Sequence, residues 1–130
     1  MGYGEEKVNT PENIASLGPN EIFVFGSNLL GSHQGGAARI AKEKFGAVEG
    51  QWFGLQGKSY AIPTLDAKFQ KIPLRLIQCF LVELASDAYK SDKSFYLTKV
   101  GCGIAGYSIE EIRGILPEFP PNVILPIEFI

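Results

Sequence analysis

Disulfide chemistry has almost nothing to work with in this chain. Its two cysteines, Cys79 and Cys102, are too few for a disulfide scaffold, and 130 residues are enough to hold a core without one. The expected compartment is the reducing cytoplasm. Histidine is equally scarce: His33 stands alone, so no histidine-rich metal site is expected. Neither charge sign dominates, since 12 basic and 14 acidic residues leave a formal charge of −2. A chain so balanced has no broad positive field for a phosphate backbone, which argues against non-specific nucleic-acid binding as its main activity. Long apolar runs are missing too. No window reaches the eighteen or so apolar residues of a membrane span, and residues 1–20 lack the basic start and apolar middle of a signal peptide.

What is present is a chain with 45% hydrophobic residues, the size of one domain, able to bury about two-thirds of the surface it exposes when unfolded. No repeat, linker or low-complexity tract divides it, so residues 1–130 are expected to form a single domain.

Thr10 before Pro11 predicts a short capped helix over 11–16, ended at 18–20. Residues 21–25, Glu-Ile-Phe-Val-Phe, predict a strand buried on both faces and stopped by Gly26. A loop with four glycines (26, 31, 35 and 36) then runs into a helical stretch, with Ala37, Ile40, Ala41 and Phe45 on one stripe and Gly46 as its stop. Gly50, Gly54 and Gly57 predict an ordered irregular loop over 47–57, and Ser59–Pro63 a short strand. Pro73 opens a helix to about Tyr89, with Leu76, Ile77, Phe80, Leu81 and Leu84 at helical spacing and Cys79 as packing.

Residues 95–100 read as a third strand, and a second glycine loop, Gly101-Cys-Gly-Ile-Ala-Gly-Tyr107, follows it. Ser108 and Glu111 have capping-box spacing, which starts a helix over about 109–116, and Val123–Ile130 reads as a last strand. Strands alternating with helices predict an α/β fold: a mixed, mostly parallel sheet with helices on both faces.

Both glycine loops follow strands and precede helices, at the sheet edge where ligands of open α/β folds lodge. Backbone N–H groups near a helix N-terminus suit an anion, and glycine lets it approach without a Cβ in the way. Neither loop carries the Gly-Lys-Ser or Gly-Lys-Thr of a P-loop, and the spacing of Gly31, Gly35 and Gly36 fails the dinucleotide fingerprint. Backbone amides would therefore hold the phosphate. Either loop alone also reads as a tight turn with close strand–helix packing; two at equivalent strand ends favour a ligand.

Val24-Phe-Gly-Ser-Asn28-Leu29, Gly35-Gly36-Ala37-Ala38 opening a helix, and Gly101–Tyr107 after a strand resemble the macro domain family, in order over about 21–112. The overall arrangement is most similar to the small phage-associated and bacterial macro-like proteins. The resemblance implies a three-layer macro-like fold and a site for ADP-ribose or a related nucleotide. It implies that Gly26, Ser27 and Asn28, then Gly35, Gly36 and Ala37, line the ribose side, with Asn28 beside the distal ribose. Gly101, Cys102, Gly103, Ile104, Ala105 and Gly106 would form the diphosphate loop, with Tyr107 beside the same ribose. No cofactor is implied. The family's early acidic residue, which reads adenine, has no counterpart among Glu5, Glu6 and Glu12, and Ala37 and Ala38 stand where hydrolytic members often carry an aspartate.

Candidates for acid–base chemistry are few. Asp66 and Glu43 are the carboxylates nearest the cleft in chain order, but surface carboxylates are commoner than catalytic ones. His33 reads as a phosphate contact or proton carrier, or as an exposed loop residue, the commoner outcome. Cys102 reads as a thiol activated by a helix N-terminus or as a small packing residue. Trp52 is the better candidate for a lid over a ligand, whereas Phe53 and Tyr60 read as core. Three functions follow: a binding domain for ADP-ribose or a related nucleotide, a hydrolase removing ADP-ribose or a terminal phosphate from an ADP-ribose derivative, or a protein-interaction module whose glycine loops are structural.

Overall fold

The computed structural model describes residues 9–130. Glu5 and Glu6 lie outside them. The protein has an α/β fold with a mixed five-stranded sheet and three α-helices among the described residues. The strands are β1 (Glu21–Asn28), β2 (Gly54–Gln56), β3 (Ser59–Leu65), β4 (Ser94–Leu97) and β5 (Val123–Ile124), in the order β2-β3-β1-β4-β5. Only the β2–β3 pair is antiparallel. The helices are α1 (Gly36–Lys44), α2 (Leu74–Tyr89) and α3 (Ile109–Arg113).

The central position of β1 explains its composition. Successive side chains of a strand point to opposite faces, and here Ile22 and Val24 join Ile77, Leu81 and Leu84 of α2, whereas Phe23 and Phe25 join Ala38 and Ala41 of α1 and Phe45 beyond it. A strand so placed needs apolar residues at every position. At roughly 1.5–3 kcal/mol for each large apolar side chain removed from water, these two clusters dominate the stability.

Several local expectations yield to long-range partners. No helix forms over 11–16: the Thr10 hydroxyl donates to the Ile124 carbonyl at 2.9 Å instead of capping a helix, and the Thr10 N–H donates to the Leu125 carbonyl at 2.9 Å. β1 does not stop at Gly26 but runs to Asn28, because β3 pairs with it that far. β3 likewise passes through Pro63 to Leu65; β2 faces only its first three residues, so the proline sits where the strand has lost one neighbour. The buried stripe of α1 is Ala38, Ala41 and Phe45, and Ile40 is exposed. The 47–57 segment contains β2, joined to β3 by a two-residue turn with Gly57 at φ 61°, a glycine-first hairpin signal.

Cys79 is exposed on α2 rather than packed. β4 ends at Leu97, where the Thr98 hydroxyl donates to the Val24 carbonyl at 2.7 Å and turns the chain out of the sheet. α3 stops at Arg113, although its capping box forms as expected: the Glu111 N–H donates to the Ser108 hydroxyl at 3.0 Å and the Ser108 N–H to the Glu111 carboxylate at 2.9 Å. β5 has two residues, and Pro126, with no N–H for a ladder, opens a single 3-10 turn at Ile127–Phe129 in place of further strand. No helix of the described residues is long and apolar enough to cross a membrane.

Candidate functional site

The ends of β3, β1 and β4 open into one cavity of about 560 Å³. Gly26, Ser27 and Asn28 line it from the end of β1; Gly35, Gly36 and Ala37 from the start of α1; Gly101, Gly103, Ile104 and Ala105 from the loop beyond β4. The fold thus brings ten of the thirteen residues expected at a ligand into one cavity. Cys102, Gly106 and Tyr107 are not among its lining residues.

Two glycines in that lining have no structural reason to be glycine. Gly35 has an extended φ of −150°, Gly103 has no positive φ, and a Cβ built on either meets nothing within 4 Å. Both leave open space toward the cavity. Gly31 and Gly101 are different: Gly31 has φ 74° and its Cβ would lie 2.5 Å from the Gly50 carbonyl carbon, while Gly101 has φ 80° and its Cβ would lie 2.7 Å from Ile112 Cδ1. A left-handed backbone dictates both, and at Gly31 a backbone clash adds to it.

The α1 N-terminus faces the same cavity through Gly35–Ala38, and no side chain caps it. Its first-turn N–H groups carry the positive end of the helix dipole. α3, with five residues, is too short to add a comparable field. Among the described residues, Lys99 is the one charged residue in the cavity lining. Its ammonium lies 3.4 Å from Glu128 and 3.9 Å from Glu12, two carboxylates that are outside the cavity lining. Glu128 in turn has its carboxyl pushed below the ordinary range, first by its own backbone N–H and also by Lys99.

Asn28 reaches the cavity with most of its amide engaged. Its Nδ2 donates to the Ser32 carbonyl at 2.9 Å and its Oδ1 accepts the Ser32 N–H at 3.0 Å, which closes the start of the glycine loop. The other end of that loop is tied to Glu49. Its carboxylate accepts the His33 N–H at 3.1 Å and the Gln34 side-chain amide at 3.0 Å, and these bonds, the His33 one above all, hold its pKa below the ordinary carboxylate value.

His33 is neither an exposed loop residue nor a cavity group. It is 1% exposed, edge-on to Phe25 with ring centroids 5.2 Å apart, and absent from the cavity lining. Its Nε2 lies 3.1 Å from the Gln51 carbonyl and 3.2 Å from Gln56 Oε1, both acceptors, so Nε2 carries the proton. The Gln56 amide orientation is set by Val48 N–H on its oxygen and the Gln51 and Gly54 carbonyls on its nitrogen. Nδ1 is buried without a partner.

The two carboxylate candidates also stand outside the cavity lining. Glu43 pairs with Arg39 at 3.1 Å on the exposed side of α1, and Asp66 Oδ1 accepts the N–H groups of Lys68 and Gln70 at 2.8 and 3.0 Å. Burial raises the Cys102 thiol pKa, with Lys99 opposing it, and Cys102 does not line the cavity. Tyr107 turns toward the α2 side of the sheet: its hydroxyl donates to the Ile72 carbonyl at 2.6 Å, and the Lys71 ammonium sits 4.7 Å from its ring centroid. Trp52 is no lid. It packs on Phe53 and Phe80, with centroids 6.1 and 6.2 Å away, and does not line the cavity.

Sequence reasoning missed Thr64, Phe69, Thr98 and Lys99, all of which line the cavity. The ends of parallel strands were a usable signal for Thr64, Thr98 and Lys99, since each follows an apolar strand core. Phe69 offered none, because a turn places it.

No protein-family model matches the chain. No curated protein matches it either. Among solved structures, the chain is similar to one described as a protein of unknown function from Bacteroides thetaiotaomicron, with a TM-score of 0.51 and 20% identity over 78% of this chain and 81% of that one. A likeness at that identity speaks to the fold alone.

Proposed function

We propose that the cavity binds ADP-ribose or a related phosphate-bearing nucleotide, in a macro-domain-like frame with α1 on one face of the sheet and α2 on the other. The reading rests on one observation above the rest: Gly35 and Gly103 are glycines that neither backbone conformation nor packing requires, and they line the same cavity from opposite loops. Open backbone, an uncapped helix N-terminus and a lysine together suit an anion held mainly by N–H groups. The order of motifs that resembles the macro domain family supplies the chemical class of that anion.

Binding is favoured over hydrolysis. Among the described residues no carboxylate and no histidine lines the cavity, so a general base would have to come from the ligand or from water. Calorimetry with ADP-ribose on the wild type and on Gly103→Val tests the reading. The added Cβ enters open space at a residue whose φ is not positive, so the variant is expected to fold with an unchanged melting temperature and to lose at least tenfold in affinity. Equal affinity in the two proteins would move the ligand away from this loop. Absence of binding to the wild type by ADP-ribose, AMP and ADP alike would remove the nucleotide reading and favour an interaction module.

A further inference from the structure

Asn28, at the end of β1, pairs with Leu65, at the end of β3, and a tight turn follows Leu65 at once. Leu65 bridges to Lys71, the Asp66 N–H donates to the Gln70 carbonyl at 2.7 Å, and the Phe69 N–H donates to the Asp66 carbonyl at 3.0 Å. These bonds hold Phe69 at φ 63°, the one positive φ of a non-glycine residue among the described residues. A bulky side chain is strained in this left-handed region. Burial does not offset the strain, because Phe69 remains 51% exposed. Asparagine or glycine would suit the backbone better and expose less apolar surface. The ring lines the cavity instead.

Sheet order decides which end of a ligand meets that ring. β3 and β4 flank β1 on opposite sides, so the turn with Phe69 stands beside Asn28, away from the 101–106 loop that follows β4. On the nucleotide reading the distal ribose lies at Asn28 and the diphosphate on the 101–106 loop, which leaves the adenosine on the β4 side, far from Phe69. Phe69 therefore stands past the other end of the ligand. The anomeric carbon of the distal ribose lies across its ring from the arm that joins it to the diphosphate, so a group attached there extends toward β3. In free ADP-ribose that group is a hydroxyl, for which a half-exposed aromatic face is a poor partner.

We infer that Phe69 receives a planar aromatic group carried on the distal ribose, so that the cavity takes a complete dinucleotide, with a base at each end, in preference to free ADP-ribose. The inference rests on the nucleotide reading of this cavity and narrows its ligand class. Stacking on an aromatic face tolerates any flat ring, and a cationic ring gains a further attraction to the negative π-face. The pyridinium ring of NAD+ has both properties. Its adenosine end stays on the β4 side and makes no contact with Phe69.

The test compares NAD+ with ADP-ribose, which differ in the group on the distal ribose, by calorimetry on wild type, Phe69→Asn and Phe69→Tyr. Wild type and Phe69→Tyr are expected to bind NAD+ about tenfold tighter than ADP-ribose. Phe69→Asn, whose side chain tolerates the left-handed backbone, is expected to keep the wild-type melting temperature and ADP-ribose affinity and to lose that preference. AMP, which has no distal ribose, should bind wild type and Phe69→Asn alike. Proton NMR adds an independent readout: the nicotinamide ring signals of NAD+ move upfield on binding to wild type and not on binding to Phe69→Asn. Binding of NAD+ no tighter than ADP-ribose by the wild type, an unchanged preference in Phe69→Asn, or an equal loss for every ligand in that variant overturns the inference while leaving the nucleotide site in place. Failure of the wild type to bind NAD+, ADP-ribose, AMP or ADP overturns the nucleotide reading and the inference together.

Discussion

Glu49 and His33, sixteen residues apart, are joined by a hydrogen bond from the His33 backbone N–H to the Glu49 carboxylate at 3.1 Å. The bond anchors the first glycine loop just before Gly35, and Lys42 of α1 adds an ion pair to the same carboxylate at 3.2 Å. The loop that opens the cavity is thus held from its solvent side by one charged group.

That anchor is pH-dependent. The Glu49 pKa is lowered from its ordinary value of 4.5, so its stabilising effect is complete above that value and is lost as pH falls through the lower, folded-state pKa. Amide signals of residues 32–35 are expected to shift together in an acid NMR titration below pH 4.5, and Glu49→Gln should remove the transition. Independent titration of those amides in the variant would detach the loop from Glu49.

At alkaline pH two phenols act in the opposite direction. Burial, reinforced by Asp87, raises Tyr60 above its ordinary value of 10, and burial with Glu21 pushes Tyr96 up to about 12. A raised folded-state pKa gives stability that is present below pH 10 and lost as pH rises above it. Denaturant unfolding is expected to show falling stability between pH 10 and 12, less steeply in Tyr96→Phe. A flat profile over that interval would contradict the burial of both hydroxyls in solution.

The glycines of the two loops should separate by role. Gly31→Ala combines a left-handed φ with a Cβ 2.5 Å from backbone, and should cost about 2–3 kcal/mol in denaturant unfolding. Gly103→Ala should stay within about 0.5 kcal/mol of wild type. Similar losses in both variants would mean that Gly103 serves packing, against the ligand reading.

Lys99 supplies the charge of the cavity lining. Lys99→Gln leaves Glu12 and Glu128 without their shared cation and is expected to weaken ADP-ribose binding by about 1 kcal/mol, roughly fivefold, with a shallower dependence on salt. Calorimetry at two ionic strengths reads both effects. Unchanged affinity and an unchanged salt slope would place the ligand's phosphates beyond the reach of this ammonium.

Features encoded by neighbouring residues could be read without the fold. The apolar run at 21–25, the glycine loop leading into α1, the spacing of Ile77, Leu81 and Leu84 on α2 and the Ser108–Glu111 capping box each depend on contacts within a few residues of each other or on a simple period. The three strand ends and two loops that meet at the cavity followed from that order of elements. Whether the cavity takes a nucleotide did not.

Where a side chain's partner lies far along the chain, local pattern had no access to it. Thr10 had a cap to make nearby and chose the Ile124 carbonyl, 114 residues away. His33 was drawn from a glycine-rich loop into the core by Phe25, Gln51 and Gln56, and Tyr107 was turned from the cavity by a carbonyl 35 residues earlier. Phe69 enters the cavity through a cross-bonded turn at a backbone angle that its residue type disfavours. Propensity and periodicity determined the succession of strands, loops and helices; pairing between distant groups decided which of their side chains face the cavity, because a buried polar group takes whichever partner the whole fold brings within reach.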